Sequence, residues 1–162
     1  MIKKILAFIF ILSIFNTPLY SADTSGSSKV KKLDNYKYGE KKVIKGKKLE
    51  KKGKIKKANK LYKEALKYFL KANKENQIDP DTLNYLGFTN RKLGNLKDAE
   101  IYYLLGLEID PKHEGINEYL GQLYVETNRI DKAKIRLKVL EGCDCKEYVD
   151  LENSIKQGSS KY

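Results

Sequence analysis

The chain has 162 residues and a formal charge of +12, from 33 Lys and Arg against 21 acidic residues, with one His and two Cys. That length makes one modest domain. The lone His113 has no Ser, Cys or carboxylate at motif spacing, which is not a catalytic arrangement, and two cysteines without a nearby His are an incomplete zinc set. No Gly-rich phosphate loop, H-E-x-x-H or G-x-S-x-G occurs. The chain is expected to be no enzyme and to need no cofactor.

Residues 1–22 read as a secretory signal peptide. Lys3 and Lys4 precede an eleven-residue apolar run, Ile5 to Phe15, and small or polar residues follow. A membrane span needs roughly 20 apolar residues, so the run is short for one. Cleavage falls after Ser21 or Ala22, and the expected location is periplasmic. Residues 23–38 read as a flexible polar and basic linker, too poor in apolar residues for a core.

The charge is unevenly spread. Between Lys29 and Lys74, 19 lysines stand against four acids, whereas Glu75 to the C-terminus carries 12 basic and 16 acidic residues. The basic third either reflects a lysine-rich composition or forms a surface for anionic lipid or an envelope polymer, centred on 29–57. Export argues against nucleic acid.

From Gly39 the pattern becomes helical. Gly53-Lys54 is a turn candidate, and Ala58, Tyr62, Ala65, Phe69 and Ala72 then recur at spacings of three and four. Asp81–Leu93 and Leu96–Ile109 form two amphipathic runs separated by Gly94-Asn95. Pro111 closes the second, because proline cannot continue a helix. Glu114–Glu126 and Arg129–Glu141 repeat the arrangement. A last helix, about 145–157, follows Gly142, with Asp144 and Glu147 at capping-box spacing, and 158–162 is tail.

These runs repeat. Tyr85-Leu86-Gly87 recurs as Tyr119-Leu120-Gly121, and Ala99 as Ala133, each 34 residues later. Going backwards the register splits. Ala65 and Phe69 precede Ala99 and Tyr103 by 34, but Gly46 and Gly53 precede Gly87 and Gly94 by 41. One added heptad reconciles the offsets, which makes the second helix of the first unit about 10 Å longer.

A 34-residue helix-turn-helix period with Leu86-Gly87, Ala99, Tyr103 and Pro111 resembles the tetratricopeptide repeat. The last unit, followed by Cys143-Asp144-Cys145 and a short helix, resembles a bacterial secreted group of that family. The resemblance implies an all-α, right-handed α-solenoid over 39–157. Its units are 39–79, 80–113 and 114–141, and a helix at 145–157 caps it. It also implies a concave groove for a protein or peptide. By phase, Asn84, Phe88, Arg91 and Lys92 line it in the second unit, with Glu118 and Gln122 in the third. Asn84 with Arg91 is similar to the carboxylate grip of some members, but Glu118 and Glu126 oppose that reading, and a merely solvated face is the plain alternative.

Cys143 and Cys145 leave three readings open: a disulfide, free or intermolecular thiols, or a soft-metal site in a thiol or metal carrier. His113, in the loop after Pro111, is expected to cap the helix at 114–126 or pack on its own loop.

Overall fold

Glycine turns and Asp-Pro boundaries divide the chain where the periodicity breaks. The computed structural model describes residues 25–76 and 78–159. The expected signal peptide and the end of the expected tail lie outside the described residues, which form seven helices and no strand. These are α1 (Ser25–Lys51), α2 (Ile55–Glu75), α3 (Pro80–Lys92), α4 (Leu96–Ile109), α5 (Glu114–Glu126), α6 (Ile130–Val139) and α7 (Lys146–Ser159). Among them none is long and apolar enough to cross a membrane.

Successive helices pair as antiparallel hairpins, α1 with α2, α3 with α4 and α5 with α6. Contacts of α2 with α3 and α4 with α5 stack the hairpins, and α7 covers α5 and α6. Each hairpin alone would leave an apolar face wet, and stacking buries it. The turns at Gly53 and Gly94 have φ of +70° and +85°, and a Cβ there would meet nothing within 4 Å. The backbone conformation, not space, therefore selects glycine at both.

The heptad inferred from the split register is present. α2 has 21 residues, seven more than the 14 of α4. Its buried stripe is Ala58, Tyr62, Ala65, Phe69 and Ala72, continuous along the helix. The offset of 41 also locates a shared contact. Tyr62 packs on Gly46 as Tyr103 packs on Gly87, and a Cβ at either glycine would lie within 2.5 Å of the ring. In the third unit Gly121 is covered instead by Leu151 of α7.

Two expectations need correcting. Helix α1 starts at Ser25, inside the stretch read as linker, and runs unbroken into the first repeat. No proline interrupts it, and Tyr36 anchors it by edge contacts with Phe69 and Tyr85, at centroid distances of 5.9 and 5.6 Å. The last helix starts at Lys146, so Asp144 is not its cap. Asp144 instead takes φ +48° in the preceding turn.

The core has two parts. One joins Val43, Tyr62, Phe69, Leu83, Leu86 and Phe88 across the first hairpin and α3. The other runs from Ala99 and Tyr103 through Ile116, Leu120 and Leu123 to Leu151 and Ile155 of α7. With only partial burial along its outer side, α6 depends on α7 for closure.

Candidate functional site

The odd-numbered helices line one concave face. Their side chains enclose two adjoining cavities of about 620 and 430 Å³, with Glu118, Tyr119 and Glu147 on the walls of both. Two aromatic rows floor the face. Phe69 stacks on Tyr85 at 4.7 Å beside Tyr36, while Phe88 lies between Tyr62 and Tyr119 at 5.8 and 5.2 Å.

A cross-link from α1 to α5 divides the face. Lys47 Nζ donates to Tyr119 Oη at 2.9 Å and sits 4.5 Å from the centre of the Phe88 ring. Burial lowers the pKa of Lys47, and the nearby Arg91 charge adds to that, while Glu118 opposes it. Glu50 accepts from Tyr62 Oη at 2.7 Å and from Lys92 Nζ at 2.9 Å. Burial alone would raise the Glu50 pKa, but these two donors hold it below the usual carboxylate value.

Arg91 anchors a second network. Its Nη2 donates to Gln122 Oε1 at 2.7 Å and its Nη1 to Glu126 Oε1 at 3.2 Å, while Gln122 Nε2 donates to Glu118 Oε1 at 2.8 Å. Glu118 is 6% exposed. Burial, then the charges of Asp150 and Glu147, push its pKa up to about 7.

The expected groove residues therefore converge, but not as a carboxylate grip. Phe88 is buried as core beneath the groove. Arg91 is buried too, its fork engaged by Gln122 and Glu126. Lys92 is held by Glu50. Asn84 lies in the larger cavity, apart from Arg91, with its amide nitrogen against Gly115; a Cβ at Gly115 would stand 2.8 Å from it. That cavity is walled by Asp81, Asp110, Glu114, Glu118 and Glu147 against the single lysine Lys112.

Lys47, Glu50, Tyr36 and Tyr119 line the groove although none is among the expected groove residues. The offset of 41 maps Lys47 onto Phe88 and Glu50 onto Arg91, so the groove register of α1 was available in the two glycines. Tyr119 was visible as the repeat of Tyr85.

His113 is the cap of α5, its Nδ1 accepting from Ile116 N at 3.3 Å, and its Nε2 lies 3.1 Å from Asp81 Oδ1. Together the two contacts tie α3 to the start of α5 beside the larger cavity. Cys143 and Cys145 are joined as a disulfide between α6 and α7. A Glu114 carboxylate oxygen lies within 4.8 Å of the sulfurs, but a disulfide offers a metal no thiolate.

Stacked hairpins whose alternate helices floor a groove define a helical-repeat scaffold. The tetratricopeptide repeat family profile matches residues 80–113, the hairpin of α3 and α4. No curated protein matched the chain. Similar solved structures include the first repeat domain of Spaghetti (RPAP3) bound to the HSP90 peptide SRMEEVD, with 19% identity, TM-score 0.54, and 77% of this chain and 95% of that one covered. The Arabidopsis OM64 TPR domain is 18% identical with TM-score 0.54, over 76% of this chain and 98% of its own. A tetratricopeptide repeat protein from Parabacteroides merdae is 16% identical with TM-score 0.54, over 78% of this chain and 62% of its own. Residues 80–113 thus carry a tetratricopeptide repeat, and the fold of the chain is similar to that of tetratricopeptide repeat domains.

Proposed function

We propose that the protein is an exported, non-enzymatic interaction module that holds a segment of another protein in the groove of α1, α3, α5 and α7. The observation that carries this is the pair of cavities meeting at Tyr119, floored by aromatic rings and walled by polar groups on four helices. Rings supply contact area at low entropy cost, and the polar groups fix orientation. The signal-like segment 1–22 supports a place in the cell envelope.

The larger cavity favours a basic segment. Five carboxyl-bearing residues face it with one lysine, beside Tyr36, Tyr85 and Tyr119. A Lys or Arg side chain entering there gains ion pairing and ring-face contact together. The SRMEEVD peptide on the Spaghetti domain is acidic, and an acidic segment would be repelled here.

Fluorescence anisotropy with labelled ten-residue peptides of matched composition and differing charge tests this. Lys- or Arg-bearing peptides are expected to bind, and Asp81→Lys with Glu114→Lys, both at exposed positions, is expected to abolish it. Binding of acidic peptides instead, or indifference to the charge reversals, would reject the reading.

A further inference from the structure

Opposite its buried stripe, α2 carries an unbroken row of exposed lysines: Lys56, Lys60, Lys63, Lys67, Lys71 and Lys74. The spacing of three and four places them along one line about 30 Å long. Beside it, α1 exposes Lys41, Lys45 and Lys48, and the turn after it exposes Lys52. Among the described residues none of these ten forms an ion pair. The acids nearest the seam are already engaged, Glu64 by Lys42 and Glu75 by Asn35.

The seam between the rows is aromatic. Tyr38 meets Tyr68 at 5.6 Å across α1 and α2, and Lys41 and Lys71 each stand 5.9 Å from one of the two rings. Ile44 and Leu70 are 46% and 40% exposed within the rows. This is the end of the stack away from α3. A repeat array needs a polar cap there, but a cap is served by mixed charge, whereas these two rows carry one sign.

We infer that the outer face of the α1–α2 hairpin docks the protein on a membrane surface rich in anionic lipid. Lysines acting as point charges suit the diffuse field of many headgroups, each adding to attraction near the surface. The rows contain no arginine, the residue suited to bidentate grip on individual phosphates of a nucleic acid. Tyr38 and Tyr68 suit the headgroup boundary, and Ile44 and Leu70 enter its apolar edge. The surface lies away from the groove and stands independently of what the groove holds.

Vesicles of phosphatidylcholine with 30% phosphatidylglycerol, and of phosphatidylcholine alone, make the test in a co-sedimentation assay with the full chain. The apolar run Ile5 to Phe15 is common to every arm, so the difference between the two vesicles reads the charge. Substituting all six α2 lysines by Gln, a good helix former, is expected to lower partitioning to the anionic vesicles by at least about 100-fold, the loss that only three lysines at roughly fivefold each would give. The same six changed to Arg are expected to retain it, as is the effect of added salt in weakening it. Circular dichroism confirms that each variant keeps its helices. Should one fail to fold, Lys41, Lys45, Lys48 and Lys52→Gln, on α1 and the turn after it, is read in its place, with a loss of at least tenfold expected. Equal binding to both vesicles, unchanged binding of the Gln variants, or binding to a DNA duplex without binding to the anionic vesicles overturns the inference.

Discussion

The ring of Tyr103 lies across the backbone of Gly87, so close that a Cβ on residue 87 would stand 2.4 Å from Tyr103 Cε1. The ring is wholly buried and cannot swing away into solvent. Alanine ordinarily gains about 1 kcal/mol over glycine inside a helix. Here the overlap reverses the sign, because overpacking a close-packed core costs about 1–3 kcal/mol. Gly87→Ala is expected to lower the urea midpoint without changing the slope. A rise in the midpoint would mean that the two helices separate easily.

That contact was legible as a pattern before it was a contact. Gly87 and Tyr103 are spaced as Gly46 and Tyr62 are, and the offset of 41 between the pairs carried the longer α2 with it. The third unit broke the pattern, because the sequence pairs Gly121 with Leu137 by register whereas Leu151 of α7 occupies the space. Tertiary covering by a later helix leaves no local periodicity to read. The groove was legible as a face but not as chemistry. Phase placed Arg91 and Glu118 on the concave helices, yet whether a charged side chain points to solvent or is satisfied by Gln122 depends on neighbours 31 residues away. Residues 25–38, expected as part of a flexible linker, are helical, because low apolar content hides the few aromatic anchors, chiefly Tyr36.

The hydroxyl of the same Tyr103 is buried without a hydrogen-bond partner among the described residues. A buried donor left unsatisfied costs about 1–3 kcal/mol. Tyr103→Phe removes the oxygen and keeps the ring on Gly87. It is therefore expected to match or exceed the native thermal midpoint, by up to a few degrees. A loss above about 1 kcal/mol would require a partner for the hydroxyl.

Leu151 is the residue through which α7 closes the stack. It is fully buried, and both its methyl carbons would lie 2.6 Å from a Cβ at Gly121. Leu151→Ala is expected to cost about 2–5 kcal/mol, through lost transfer energy and a residual cavity. For a chain of this size the melting temperature should fall roughly 10 °C. Val149, on the same helix but 51% exposed, is the control, and Val149→Ala should change little. Equal effects at the two positions would show that α7 is not a structural cap.

Glu118 gives the groove a pH dependence. Burial, reinforced by Asp150 and Glu147, pushes its pKa up to about 7 from 4.5. The folded chain thus holds the proton more tightly than the unfolded chain. The associated stability is fully present below about pH 4.5, declines as pH rises, and is gone above about 7, where the buried carboxylate must be charged. The whole excursion is worth about 3 kcal/mol at most. Glu118→Gln stays neutral and can still accept from Gln122, so it removes the dependence while keeping the network. The variant is expected to be more stable than the native chain at pH 8, with the difference shrinking toward pH 5, as measured by urea unfolding at both values. A difference independent of pH would place the Glu118 carboxylate in water and remove it from the groove wall.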